Sequence, residues 1–239
     1  MDTSQLAEKL VLWIRDKVLS AGCKGVVLGM SGGVDSSVVA VLCIRAFPSN
    51  TLGLILPCYS IPEDMEHAQM VADKFSIPTK TIVLDPIFDA LLKILPVERA
   101  KGMAEANIKP RLRMLTLYSF TNQLKYVVVS SSNRCELAVG YFTKYGDGGV
   151  DIMPIGNLVK KEVRELAKFL GVPQPIIDKP PSAGLWQGQT DEGDLGFTYE
   201  ELDRYLLTGK ATKELKARIE SMAAASEHKR QLPPVATFG

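Results

Sequence analysis

The chain has 239 residues, with 28 Lys and Arg against 27 Asp and Glu, and 46% of its residues are hydrophobic. This composition supports a packed core and argues against wholesale disorder or an extended basic surface for duplex nucleic acid. Charged residues such as Asp35 and Arg45 interrupt every apolar run before it reaches membrane-spanning length. Four dispersed cysteines and only two histidines argue against a disulfide framework or a zinc site, so a cytoplasmic protein is expected.

Hydrophobic periodicity alternates between helix and strand along the first half of the chain. An N-terminal amphipathic helix comes first and does not resemble a signal peptide. Strands are predicted at 25–30, 51–57, 79–84 and 125–131. Helices are predicted at 36–47, 62–75, 87–95 and 104–124. This alternation predicts a doubly wound α/β fold, with a mainly parallel sheet, helices on both faces and ligands beyond the carboxyl ends of the strands.

The second half is predicted to begin with a helix over 158–170, capped by Asn157 and ended by Gly171 and Pro173. Residues 179–197 show no periodicity, which is unusual inside a compact domain. Because this stretch carries large apolar side chains, we interpret it as a mobile active-site loop that closes over a ligand. A disordered insertion is the alternative interpretation.

The stretch GMSGGVDS, at residues 29–36, carries the clearest chemical signal. Its paired glycines allow close backbone approach, and the following helix directs free N–H groups and its positive dipole end into the turn. These features predict a phosphate site, to which Ser31, Ser36 and Ser37 add hydroxyl donors. Asp35 would repel phosphate unless a divalent cation bridges the two, so such a cation is expected. The predicted cradle comprises Gly29, Met30, Ser31, Gly32, Gly33, Val34, Asp35 and Ser36.

The pattern SGGxDS resembles the pyrophosphate loop of the ATP pyrophosphatase superfamily, whose members cleave ATP between the α and β phosphates. Four further stretches narrow the resemblance to the NAD synthetase family; they are 107–114, 130–167, 179–206 and 227–234. The resemblance implies one synthetase domain over 1–239 that adenylates deamido-NAD with ATP and then uses ammonia to form NAD. It also implies a homodimer. The chain has no room for the amidase domain of glutamine-dependent members, so free ammonia or a separate glutaminase is the expected nitrogen source.

The same resemblance assigns roles to individual residues. Asp35 and Glu136 match the family's Mg²⁺ ligands, and Lys160 matches an ATP-binding lysine that we also place in catalysis. Ser131, in a Ser-Ser pair that replaces the family's Gly-Thr, and Ser182 both stand where the family has an ATP-binding threonine. The residues implied for deamido-NAD are Arg111, Lys144, Asp151, His228 and Lys229.

Asp147 corresponds to an acid near the family's ammonia site. Ammonium is not a nucleophile and must lose a proton before it can attack, so Asp147 is a candidate catalytic proton acceptor. The alternative is a plain Asp-Gly turn.

Two rival functions remain open at this point. Another adenylating synthetase or a tRNA-modifying enzyme would share the phosphate loop, although a tRNA thiolase would usually need cysteine pairs or a basic nucleic-acid-binding domain. A non-catalytic nucleotide-binding module would be expected to lack the acids Asp35 and Glu136. Neither a nucleic acid nor a membrane is an expected partner.

Overall fold

The computed structural model describes residues 2–95, 102–186 and 188–238. The predicted loop 179–197 is therefore described except at residue 187, and the ends of the predicted 1–239 domain lie outside the described residues. The strands are β1 Gly25–Gly29, β2 Thr51–Ile55, β3 Thr79–Thr81 and β4 Tyr126–Val129. The helices are α1 Thr3–Ser20, α2 Val34–Ala46, α3 Pro62–Phe75, α4 Asp85–Ile94, α5 Met103–Ala106, α6 Ile108–Leu124, α7 Arg134–Val139, α8 Lys160–Leu170, α9 Gln174–Asp178, α10 Asp191–Leu195, α11 Tyr199–Thr208, α12 Lys213–Ala225 and α13 Glu227–Arg230.

The four strands form one sheet in the order β3-β2-β1-β4, and every pairing is parallel. Val26 in the central strand β1 is aligned with Thr51 on one side and Val127 on the other. This confirms the predicted parallel α/β fold. All four strands end sooner than predicted, because the residues that follow them turn into loops at the carboxyl edge.

Helices cover both faces of the sheet, as parallel crossovers require. Side chains alternate along a strand, so Val26 and Leu28 pack into one cluster and Val27 into another. The first cluster lies beneath α1, α2 and α8, and the second lies beneath α4 and α6. The sheet is thus held rigidly from both sides, and its carboxyl edge is left free to carry the site.

A third apolar cluster joins the C-terminal helices to α7. Its buried members include Cys135, Leu195 and Leu202. Part of segment 179–197 belongs to this cluster, because α10 forms inside the segment with Thr190 accepting a hydrogen bond from the Gly193 N–H. The expectation of a stretch without secondary structure was therefore wrong for this part, since one helical turn is too short to show a periodic pattern.

The start of α8 also differs from the prediction. The helix begins at Lys160, with Val159 in the N-cap position and no side-chain hydrogen bond from that cap, so Asn157 is not the cap. The predicted helix over 104–124 divides into α5 and α6 at Asn107. In the part of the chain that the structure describes, no helix combines the length and apolarity needed to cross a bilayer.

Candidate active site

One cleft of about 1230 Å³ opens at the carboxyl ends of β1, β2 and β4. Sites for a single drug-sized ligand usually occupy roughly 300–1000 Å³, so this cleft has room for more than one substrate. All the residues predicted to bind ATP line it except Gly32. The predicted position of the site, beyond the strands' carboxyl ends, matches this cleft.

The turn between β1 and α2 depends on its glycines. Gly32 has a φ of 76°, and a Cβ built there would lie 2.2 Å from the backbone oxygen of Asp64 in α3. Only glycine satisfies both the left-handed backbone and this close approach. Gly33 is the N-cap of α2 and has extended backbone angles, so the first-turn N–H groups of α2 lie at the turn.

The serine hydroxyls of the turn have different roles. The Ser31 and Ser36 hydroxyls lie 3.0 Å apart and both residues line the cleft. Ser36 also donates to the Gly33 carbonyl oxygen at 3.0 Å. Ser37 donates to the same oxygen at 2.8 Å and, unlike Ser36, does not line the cleft, so its predicted role as a phosphate donor is wrong. Its hydroxyl lies on the inner side of the helix and stabilises the turn.

Asp35 and Glu136, the two predicted metal ligands, meet at this end of the cleft. The Lys160 ammonium lies 2.5 Å from Asp35 Oδ2 and 3.9 Å from Glu136 Oε1. Burial, reinforced by the Asp35 carboxylate, raises the pKa of Glu136 to about 8. Burial acts to lower the pKa of Lys160, but the two carboxylates outweigh it and raise that pKa. The site therefore keeps a positive charge between two acids.

Asn133 connects the two acids and was missed by the sequence analysis. Its Nδ2 donates to Asp35 Oδ1 at 3.1 Å and to Glu136 Oε1 at 2.8 Å. Its Oδ1 accepts from the Cys135 and Glu136 N–H groups, which caps α7. The pattern Asn-x-x-Glu is a capping box, so a local signal was available. The same amide that starts the helix also spaces the acid pair.

Tyr199 and Asp191 extend this charged cluster. The Lys160 ammonium lies 4.8 Å from the centre of the Tyr199 ring, and the Tyr199 hydroxyl donates to Asp191 Oδ2 at 2.9 Å. Asp191 is buried, and its Oδ1 has no hydrogen-bond partner among the described residues. A cation over an aromatic face is attracted to it, so the ring helps to hold the lysine in place.

This end of the cleft thus combines a phosphate loop with an acid pair and a buried lysine. The sequence model of the NAD synthase family matches residues 6–233, nearly the whole chain. The chain belongs to the NAD synthase family.

Individual relatives agree with this assignment. Over 232 residues the chain is 52% identical to the NH3-dependent NAD+ synthetase of Carboxydothermus hydrogenoformans, a match that covers 95% of each protein. The solved structure of NMN synthetase from Francisella tularensis is similar over 100% of both chains, with a TM-score of 0.95 and 38% identity. That of the NH3-dependent NAD synthetase from Campylobacter jejuni covers 99% of this chain and is itself covered in full, with a TM-score of 0.82 and 31% identity.

Four of the five residues that the NAD synthase resemblance implies for deamido-NAD cluster in the cleft. Arg111 Nη2 lies 3.5 Å from the Lys144 carbonyl oxygen, and the Lys144 ammonium donates to the carbonyl oxygen of His228. Lys229 Nζ donates to the carbonyl oxygens of Gly140 and Phe142, at 2.9 and 3.0 Å. The fold thus brings residues from α6, α13 and the loop after α7 into one basic cluster, which suits phosphate or carboxylate.

Asp151, the fifth of these residues, lies apart from the basic cluster and outside the cleft lining. Its Oδ2 accepts from the Val128 N–H of β4 at 2.7 Å, and its Oδ1 accepts from the Tyr118 hydroxyl at 3.0 Å. Both carboxylate oxygens therefore already have partners within the chain, and Asp151 ties α6 to the edge of β4.

Asp147 lines the cleft from the loop that follows α7, three residues after Lys144. Its Oδ1 accepts from the Thr143 N–H at 2.9 Å, so it does stabilise a local turn. The residue is exposed to solvent in the cleft, but the protein around its carboxyl partly desolvates that group and so raises its pKa. A turn and a proton-accepting role are therefore compatible at this residue.

Segment 179–186 borders the same cleft and is anchored at both ends. The Lys179 ammonium lies 2.8 Å from Asp64 Oδ1 and 2.9 Å from a Glu63 carboxylate oxygen, at the start of α3. The buried Lys109 ammonium donates to the Leu185 carbonyl oxygen at 2.8 Å. Ser182 Oγ accepts from the Gly184 N–H at 3.1 Å and lines the cleft.

Proposed function

We propose that this protein converts deamido-NAD to NAD with ATP and ammonia, through a deamido-NAD adenylate, and releases AMP and pyrophosphate. One observation carries the proposal: a single cleft holds a phosphate loop with an acid pair and, in the same space, a basic cluster. The two parts suit the two phosphate-bearing substrates. The names of the NAD synthetase relatives support the same reaction.

In the first step the nicotinate carboxylate attacks the α-phosphorus of ATP, and negative charge accumulates there. The first-turn N–H groups of α2 and the Ser31 hydroxyl are available to the pyrophosphate, and Ser36 lines the cleft beside them. Lys160 supplies a positive charge that is stabilised first by the Asp35 carboxylate, 2.5 Å from its ammonium. Arg111 and Lys144 would orient the carboxylate and phosphates of deamido-NAD. The protein would therefore accelerate the step by positioning the substrates and by stabilising negative charge.

The donor set at Asp35 and Glu136 fits Mg²⁺ bound together with ATP. No group of three or more His, Cys, Asp or Glu side chains that could hold a metal is found within residues 2–95, 102–186 and 188–238. Mg²⁺ usually takes one or two carboxylates and completes its shell with water and substrate phosphates. When bound, it would supply additional charge stabilisation at the phosphates. Asn133 would hold the two carboxylates at a fixed spacing.

In the second step ammonia displaces AMP from the acyl adenylate. Asp147 is our candidate for the group that takes a proton from ammonium, because its raised pKa makes it a better base than an ordinary aspartate. Segment 179–186, which borders the cleft, would limit water access to the reactive adenylate.

A second candidate acceptor is nicotinate mononucleotide, whose amidation gives NMN. The observation that favours it is the likeness to the Francisella NMN synthetase, with a TM-score of 0.95 against 0.82 for the Campylobacter NAD synthetase. A mononucleotide carries one phosphate, and the basic cluster could bind it without an adenosine site. The 52% identity to an NAD synthetase keeps deamido-NAD as the main proposal.

The proposal also covers the oligomeric state of the protein, its location in the cell and the source of its ammonia. We expect a cytoplasmic homodimer that uses free ammonia or ammonia from a separate glutaminase. The C-terminal tail supports this proposal, because it carries three large apolar side chains that a second protomer could cover. Leu232, Val235 and Phe238 are each at least 85% exposed, and they follow α13 in the chain. Light scattering of the purified protein would give a dimer mass, and a monomer at micromolar concentration would contradict it.

The test of function is a four-way assay with ATP and Mg²⁺. Purified protein receives deamido-NAD or nicotinate mononucleotide, with ammonium or glutamine, and the products are identified by mass spectrometry. NAD formed from deamido-NAD with ammonium supports the main proposal, and preferential NMN formation supports the second candidate. Pyrophosphate release without either product would mean that the acceptor is wrong. Absence of both pyrophosphate and amide would contradict the proposed reaction class.

A further inference from the structure

Asp203 is a buried carboxylate on α11 that does not line the cleft, and only 6% of it is exposed. Its Oδ1 accepts from the Lys160 N–H at 3.1 Å and from the Cys135 thiol at 2.9 Å. Its Oδ2 accepts from the Lys161 N–H at 2.8 Å. A single side chain therefore contacts the helix that carries Lys160 and the helix that carries Glu136.

These contacts replace a missing helix cap. The first N–H groups of a helix have no partner within it, and the N-cap Val159 has no side-chain acceptor to offer. Asp203 satisfies two of these groups from a distant helix and adds a negative charge at the positive end of α8. Because Lys160 is the first residue of α8, this fixes the backbone from which its ammonium reaches Asp35.

The hydrogen bond from the Cys135 thiol to Asp203 also fixes the position of α7. Cys135 directly precedes Glu136 in the first turn of α7, and its Sγ–H is held by the same oxygen that holds the Lys160 N–H. Movement of Asp203 would therefore shift α7 and α8 together, and with them the spacing between Glu136 and the Lys160 ammonium. Asn133 sets the spacing of the acids from one side, and Asp203 sets the lysine against them from the other.

We propose that Asp203 is a positioning residue for the ATP end of the site, which sets Lys160 against the Asp35–Glu136 pair. This inference rests on the proposed function in so far as it assigns that end to Mg·ATP. An amide cannot replace the carboxylate, because both oxygens of Asp203 accept from backbone N–H groups. In Asn one of these oxygens becomes an NH2 group, which would face a backbone N–H with no acceptor between them. The charge opposite α8 would be lost as well.

The test compares Asp203→Asn with Thr198→Ala. Thr198 caps α11 by accepting from the Glu201 N–H, so its loss weakens the same helix without touching α7 or α8. Binding of Mg²⁺ with the non-reactive analogue α,β-methylene-ATP is measured by calorimetry, and KM and kcat are measured in parallel. All measurements are made at a temperature at which circular dichroism shows both variants folded.

We expect Asp203→Asn to weaken analogue binding and raise the KM for Mg·ATP by about 10-fold or more, as loss of an orienting partner commonly does. Thr198→Ala should lower Tm and leave both constants within about twofold of wild type. A folded Asp203→Asn protein with wild-type binding and KM, or equal losses in both variants, would overturn the proposal. Analogue binding does not involve the acceptor, so this result stands apart from the identity of that substrate.

Should Asp203→Asn fail to fold, Asp203→Glu provides the second test. It keeps the charge and both acceptor oxygens and moves them by one methylene group. We expect a folded protein with a several-fold higher KM for Mg·ATP and weaker analogue binding. Wild-type constants in that variant would show that α8 does not depend on the position of this carboxylate, and would overturn the proposal.

Discussion

The two parts of the ATP end of the cleft are built in different ways. The phosphate loop is one contiguous stretch, 29–36, whose glycines and hydroxyls set their own geometry. The surroundings of Lys160 are assembled from four helices, because Asp35, Glu136 and Tyr199 reach it from α2, α7 and α11 while Lys160 itself starts α8.

This difference determines how each part can fail. A contiguous loop fails when one of its own residues is changed, and the damage is local. An assembled cluster depends on the packing of whole helices, so substitutions far from the substrate can disturb it.

Asp35→Asn should have the largest effect, because Asp35 belongs to both parts. The variant loses a proposed Mg²⁺ ligand and leaves the buried Lys160 ammonium without its nearest counter-charge. We expect NAD formation to fall by about 10³-fold, at the upper end for loss of one charge-stabilising group. Ser37→Ala is the matched control, since Ser37 lies in the same helix turn and bonds only to the Gly33 carbonyl oxygen among the described contacts. Similar activity in the two variants would contradict the metal assignment.

Gly32→Ala tests whether the loop's geometry is local. The added Cβ meets the Asp64 carbonyl oxygen in a left-handed backbone, so we expect a destabilisation of roughly 1–3 kcal/mol and weak ATP binding. Gly33→Ala is the control, because Gly33 has a negative φ and its Cβ would make only an ordinary 3.5 Å contact with Ser31. Urea unfolding is measured for both variants, and ATP binding is measured for Gly32→Ala alone, because Gly33 itself lines the cleft. Equal behaviour of the two variants would mean that Gly32 is not required by its conformation.

Asp147→Asn separates the two chemical steps. If Asp147 accepts the ammonium proton, amide formation should fall by about 10²- to 10⁴-fold while ATP–pyrophosphate exchange continues. Asn keeps an oxygen for the Thr143 N–H, so the turn should persist. Parallel loss of exchange and amide formation would favour a structural turn, and unchanged amide formation would exclude the proton-accepting role.

Closure of the part of segment 179–197 that precedes α10 should be visible as protection from protease. Trp186 is 45% exposed beside the cleft, and chymotrypsin should cut after it several-fold more slowly when ATP and deamido-NAD are bound. Cleavage of an unrelated chymotrypsin substrate, added to the same reactions, is the control for protease activity with and without the ligands. Equal cleavage after Trp186 with and without ligands would contradict a loop that closes.

Asp191→Asn should give a small, pH-dependent change in stability. Burial raises the pKa of Asp191, and the attraction of Lys160 only partly offsets this. The folded state therefore holds the proton to higher pH than the unfolded chain, so wild-type stability falls as pH rises from about 4 through the raised pKa. The variant lacks this loss, and its stability relative to wild type should increase over that range in urea unfolding. A constant or shrinking difference would contradict a buried, charge-penalised carboxylate.

The contiguous phosphate loop could be predicted from the sequence, whereas the contacts between distant helices around Lys160 could not. The parallel sheet, the phosphate loop and the joint position of Asp35 and Glu136 come from local patterns and from the family resemblance. The cap of α8 could not be found in this way, because Asp203 lies 43 residues beyond Lys160 and replaces the nearby Asn157 that local rules favour. Periodicity also missed α10, which is a single turn stabilised by the packing of Leu195.

The most direct test of the reaction uses deamido-NAD labelled with ¹⁸O in the nicotinate carboxylate. Attack of that carboxylate on the α-phosphorus, followed by displacement by ammonia, transfers one labelled oxygen to AMP. We expect AMP that carries one ¹⁸O and pyrophosphate that carries none. Labelled inorganic phosphate together with ADP would mean attack at the γ-phosphorus, and would contradict the proposed adenylation.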